Sequence, residues 1–96
     1  MIFEIILKGR VQGVGCRYYC GKVGTRMSIS GSASNMMNGS VKVLINAADR
    51  TLADEFAEAV RKNRYNLDFW GIITSVEINE LPGSDISDIH GDYKWK

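Results

Sequence analysis

The chain has 96 residues, 45 % apolar and 24 % charged, which suits one domain with a modest core and is too short for two domains and too apolar for disorder. Twelve basic and 11 acidic side chains leave a net charge of +1, which argues against a general polyanion binder. No apolar run approaches the ~18 residues of a membrane span. The first residues carry no basic stretch followed by an apolar one and a cleavage site, so a cytoplasmic location is expected. The charge is unevenly placed. Residues 1–48 hold six basic residues and one acid, Glu4, a balance of +5, while residues 49–96 hold six basic and ten acidic, a balance of −4. Five basic residues and no acid lie between Lys8 and Arg26. Such a run reads first as a solvated face, and it leaves room for a local anion site.

Ile2–Lys8 places Phe3, Ile5 and Leu7 on one face and predicts a strand buried on that side. Gly9–Gly15 (GRVQGVG) follows as a loop with three glycines, a density that suits backbone which side chains would obstruct or which something approaches closely. Cys16–Met27 is read as a helix despite Gly21 and Gly24, each of which costs a helix about 1 kcal/mol relative to alanine. Ile29–Asn35 alternates Ile29, Gly31 and Ala33 against Ser30, Ser32 and Ser34. It is joined through Asn38-Gly39, a strong hairpin signal, to the alternating Val41, Val43 and Ile45. Asp49–Asn63 sets Leu52, Phe56, Ala59 and Val60 at helical spacing, with Thr51 and Asp54 as a capping pair. Trp70–Leu81 reads as a strand with Ile72, Thr74, Val76 and Ile78 on one face, ended by Pro82-Gly83, and Asp92–Trp95 as a short fifth strand. The order β-α-β-β-α-β predicts an α+β, ferredoxin-like sandwich, with two helices on one face of an antiparallel sheet of four or five strands.

In that topology the first and second strands run parallel and both flank the third. The loop after the first strand and the end of the second therefore share one edge. Arg17, in the first turn of the first helix, then meets Asn35, which alternation puts on the helix-facing side. A guanidinium, a carboxamide and a glycine-rich loop at a helix N-terminus together suit an anion, and phosphate in particular.

The nine residues Gly9-Arg10-Val11-Gln12-Gly13-Val14-Gly15-Cys16-Arg17 closely resemble the G-R-V-Q-G-V-x-F-R signature of acylphosphatases, and Gly31-x-x-x-Asn35-x-x-Asn38-Gly39-x-Val41 resembles their second motif. The 18 positions from Arg17 to Asn35 also match. The resemblance is strong from Gly9 to Val41 and looser, in pattern, to about Leu81; it implies one acylphosphatase-like domain over residues 1–96. It further implies hydrolysis of small-molecule acyl phosphates to a carboxylate and inorganic phosphate, without metal or cofactor. Arg17 would hold the phosphoryl oxygens together with the backbone N–H groups of Arg10, Val11, Gln12, Gly13 and Val14. Asn35 would orient the attacking water. No strong base is needed for so good a leaving group, and the one histidine, His90, lies far along the chain. No nucleic-acid or membrane partner is expected, and a monomer is. The chain departs from the family pattern at Cys16, Ser32, Ala33 and Asn38, and in its helix glycines Gly21 and Gly24, which bears on the packing around the pair.

A non-catalytic phosphate- or anion-binding module of the same fold is the alternative. A single-stranded RNA binder is a third reading, which Ser40–Asn46 disfavours because it lacks stacking aromatics. Cys16 and Cys20 read as reduced, partly buried thiols, since a disulfide within one helical turn has poor geometry. Gly15–Lys22 fails as a nucleotide loop, which needs Gly where Cys20 stands and Lys where Gly21 stands. Asn38-Gly39-Ser40 is read as a turn rather than a glycosylation site. Asp85, Asp88, His90 and Asp92 fit no calcium loop and read as a solvated connection. Tyr18, Tyr19, Trp70 and Trp95 read as packing aromatics.

Overall fold

The computed structural model describes residues 1–96. Phe3, Ile5 and Leu7, each almost wholly buried, form the inner face of β1 (Ile2–Arg10). Helix α1 (Cys16–Arg26), β2 (Ser30–Asn35), β3 (Val41–Asn46), α2 (Arg50–Lys62), β4 (Ile72–Glu80), a short 3-10 turn (Ile86–Asp88) and β5 (Tyr93–Trp95) follow. The five strands form one sheet in the order β4-β1-β3-β2-β5, every neighbouring pair antiparallel. Both helices bury against one face, Tyr19, Cys20 and Val23 from α1 and Ala53, Phe56 and Val60 from α2, over the inner residues of β1 and β3. This is the two-layer ferredoxin-like sandwich that the element order predicts.

Three local expectations are corrected. The capping pair of α2 is not Thr51 and Asp54. Asp49 is the N-cap, its carboxylate accepting from Leu52 N–H at 2.9 Å, and Asp54 instead pairs with Arg50 one turn earlier. Strand β1 continues two residues beyond Lys8, because Gly9 and Arg10 pair with Ile73 and Ile72 of β4. At Gly9 (φ 128°) a Cβ would collide with the Ile72 carbonyl, so this glycine admits the neighbouring strand rather than a ligand. The register also slips between Lys8 and Gly9, a bulge that leaves Thr74 unpaired. The face of β4 therefore changes: Ile73, Val76 and Ile78 pack on the core and Ile72 is exposed.

The helix glycines have a packing reason. The Trp95 indole lies across Gly21, Gly24 and Gly31. A Cβ at Gly24 would sit 2.7 Å from its Cε2, and one at Gly31 2.8 Å from its Cζ2. Trp95 Nε1–H donates to the Ile29 carbonyl at 2.8 Å, and the ring is stacked toward Phe56 at a 6.5 Å centroid distance. Bulk removed from α1 and β2 is thus returned by the last strand. Gly24→Ala is accordingly expected to lower Tm, although alanine is the better helix former; a thermal melt showing a rise would mean that the indole can move aside.

To pass from β4 at one edge to β5 at the other, residues 81–92 cross the sheet face opposite the helices. Ile89 plugs a small second core with Ile2 and Leu44, and Leu81 packs beside it. The crossing ends on β2, where the Ser32 hydroxyl donates to the His90 carbonyl at 3.1 Å. The serines of β2 therefore anchor the crossing segment.

Candidate active site

The loop leaving β1 is anchored where it starts. Val11 is buried, and the Gln12 side-chain amide donates to the carbonyls of Met36 (2.6 Å) and Ser40 (2.9 Å), tying the loop to the β2–β3 hairpin. The hairpin turn is itself closed by Asn38 Oδ1, which accepts from Ser40 N–H at 3.0 Å. Gly13 and Gly15 take left-handed conformations (φ 73° and 79°) with open space where a Cβ would lie. Gly15 is also the N-cap of α1; it brings no side-chain cap, and the first turn holds no acid. The amide groups and positive dipole end of the helix thus face the loop without a competing carboxylate of their own.

Arg17 stands in this first turn and Asn35 closes β2. They border the same cavity of about 340 Å³, at the small end of the range for ligand sites, together with Val11, Gly13, Gly15 and Cys16. The remaining walls are Tyr18, which is exposed, and Asp92 and Tyr93 from the start of β5. The Tyr18 and Tyr93 rings meet edge to face at 6.0 Å. Because β5 runs antiparallel to β2, with Tyr93 opposite Ala33, its first residues arrive where β2 ends. Asp92 Oδ2 accepts from Asn35 N–H at 3.0 Å and lies 3.4 Å from Arg17 Nη1. One oxygen thus joins Arg17 to the backbone of Asn35.

Of the other expected site residues, Val11 and Gly13 line the cavity, whereas Arg10, Gln12 and Val14 are not part of its lining. Arg10 belongs to β1, and its guanidinium donates to the Trp70 carbonyl at 3.1 Å. Val14 packs against the main core. The thiols of Cys16, at the cavity wall, and Cys20, one helical turn further into the core, are free and fully buried rather than partly so. Cys20 is held well above the usual thiol range by its hydrogen bond with Cys16 and by burial. Cys16 is moved the other way by that same hydrogen bond, against its own burial and with help from the Arg17 charge. Among the aromatics, Tyr19 and Trp95 are core residues, while Tyr18 and Trp70 are exposed.

Asp92 escapes a reading of the sequence as a site residue. It is separated from Arg17 by 75 positions and stands in an acidic segment whose spacing carries no motif. The segment is therefore not simply a solvated connection: Asp85 caps the 3-10 turn, and Asp92 reaches the cavity.

The profile of the Acylphosphatase family matches residues 3–88. The chain belongs to the acylphosphatase family. It is 28 % identical over 83 residues to the acylphosphatase of Clostridium beijerinckii, an alignment covering 86 % of this chain and 87 % of that protein. It is 40 % identical over 60 residues to that of Bacillus velezensis, covering 62 % of this chain and 66 % of the relative. Among solved structures, the acylphosphatase of Bacillus subtilis superposes with a TM-score of 0.68 at 27 % identity, over 86 % of this chain and 91 % of that one. An acylphosphatase from Coxiella burnetii shares the fold, with a TM-score of 0.72 at 20 % identity over 94 % and 90 % of the two chains. The acylphosphatase match ends at residue 88, so Asp92 and Trp95 both lie beyond it.

Proposed function

We propose that the chain hydrolyses the carboxyl–phosphate bond of small acyl phosphates, releasing a carboxylate and inorganic phosphate. The observation that carries this reading is the convergence of Arg17, the uncapped N-terminus of α1 and Asn35 on one small cavity in a chain of the acylphosphatase family. The Arg17 guanidinium offers paired N–H donors to two phosphoryl oxygens, and the backbone amides of Val11 and Gly13, the two expected loop residues on the cavity wall, supply further donors around them. Asn35 orients a water toward phosphorus. As its oxygen bonds to phosphorus, the phosphorus–oxygen bond to the acyl group breaks and the carboxylate leaves with the bonding pair. A water proton passes to a phosphoryl oxygen. Phosphoryl transfer of this kind asks mainly for positioning and charge stabilisation, which is what these groups provide. The reading includes a monomeric chain working in the cytoplasm; no helix is long and apolar enough to cross a membrane.

The test is hydrolysis of benzoyl phosphate by the purified chain in EDTA, followed against the spontaneous rate. Turnover no faster than the blank sinks the proposal, and phosphate raising Tm under the same conditions would favour a non-catalytic anion-binding module instead. Asn35→Ala is expected to lower kcat by about 10²- to 10³-fold while inorganic phosphate still binds. Loss of phosphate binding in that variant would show that Asn35 holds the anion rather than the water.

A further inference from the structure

The carboxylate that reaches the cavity from the C-terminal segment has no part in the hydrolysis described above. Its Oδ2 atom nevertheless lies between two N–H donors of the anion site, Asn35 N–H at 3.0 Å and Arg17 Nη1 at 3.4 Å. Backbone contacts deliver it there. Asp92 N–H donates to Ser34 Oγ at 3.0 Å, Ser32 Oγ donates to the His90 carbonyl at 3.1 Å, and a side chain at Gly91 would run into Ser34 Oγ. The side chains of Arg17 and Asp92 are 41 % and 49 % exposed, so the carboxylate is free to swing outward while the segment stays docked.

We propose that Asp92 is an internal anion that sets the affinity of the site: substrate phosphate and product phosphate must each displace its carboxylate from Arg17. The proposal rests on the acyl phosphate reading only in naming the incoming anion. Carboxylate and phosphoryl oxygens ask the same of a guanidinium, paired acceptors in its plane, so they compete for it. Tethering keeps the internal competitor present at a fixed effective concentration, whatever the ligand concentration. An exposed ion pair shifts such an equilibrium by about fivefold at most, and repulsion between the carboxylate and an arriving dianion adds to it. The site thereby holds inorganic phosphate loosely and releases product readily.

The test is calorimetric titration of inorganic phosphate into the wild type, Asp92→Asn and Asp92→Glu, with KM for acetyl phosphate measured alongside. Asparagine keeps an acceptor for Asn35 N–H and removes the charge. It is expected to lower the phosphate Kd and the KM by about three- to tenfold, whereas glutamate keeps both near the wild type. A phosphate Kd unchanged or raised in Asp92→Asn overturns the proposal, as does a lowered kcat with KM unmoved, which would make Asp92 a positioning residue. A measurement on the wild type guards against a misfolded variant. Saturating phosphate should shift the NMR resonances of the Asn35 amide and the Asp92 carboxyl, and no shift in either overturns the displacement. Tighter phosphate binding in Asp92→Asn beside a wild type without turnover would support the internal anion and remove the hydrolytic reading alone.

Discussion

Arg17→Ala is expected to lower kcat/KM for acetyl phosphate by about 10²- to 10³-fold, the loss that follows removal of a preorganised donor from a developing oxyanion. The guanidinium is the one cationic group bordering the cavity, and it stands in a helix turn without an acid, so no neighbouring cation takes over its charge. Lysine restores charge without the planar pair of donors, and Arg17→Lys should recover a minor part of the activity. Folding should be almost untouched. The single ion pair of Arg17, with Asp92, is half exposed, and exposed pairs contribute at most about 1 kcal/mol. The measurement is steady-state hydrolysis beside a urea melt. Activity within a few-fold of wild type would remove Arg17 from the reaction, and a large stability loss would show that the arginine is structural.

Trp95→Ala is expected to cost about 3–5 kcal/mol, the range for truncating a large buried aromatic. Against the roughly 5–15 kcal/mol of a domain this size, that is a large share, and at about 4–8 °C per kcal/mol it lowers Tm by tens of degrees. Three effects combine. The indole fills the space that Gly21, Gly24 and Gly31 leave, and those glycines have no side chains with which to close the hole. Its removal leaves the Ile29 carbonyl without the indole N–H. It also loosens β5, a strand of three residues paired on one side only. Trp95→Phe keeps much of the volume and loses the hydrogen bond, so a smaller decrease is expected. Thermal and urea unfolding check both, and a cost below about 1 kcal/mol for Trp95→Ala would mean that the three glycines have some other cause.

The charge asymmetry of the sequence takes on a different meaning in the fold. The acidic half does not form a separate side: it sends Asp92 across the sheet to the Arg17 of the basic half, and Glu77 of β4 lies 3.5 Å from Lys8. Lys22 and Arg26 of the same basic run lie over the rings of Tyr18 and Tyr65. Of the five basic residues in that run, Arg17 alone borders the cavity, so a small anion rather than a polyanion matches the charge.

Both helices, the Asn38-Gly39 hairpin and the placement of Arg17 beside Asn35 were legible in the sequence, because each rests on short-range periodicity, turn chemistry or strand direction. The bulge opposite Lys8 was not, since alternation within Ile72–Glu80 says nothing of the register its partner imposes. Nor was the reason for Gly21 and Gly24. In α1 alone they only weaken a helix, and their use appears when Trp95 lies over them. By itself, then, the sequence determined the elements, their order and the glycine-rich loop before α1, all of which follow from neighbours along the chain. Only the tertiary structure decided what the last residues do. Crossing from β4 to the far edge beside β2 brings Trp95 into the core and Asp92 onto Arg17, meetings between residues some 70 positions apart that no spacing encodes.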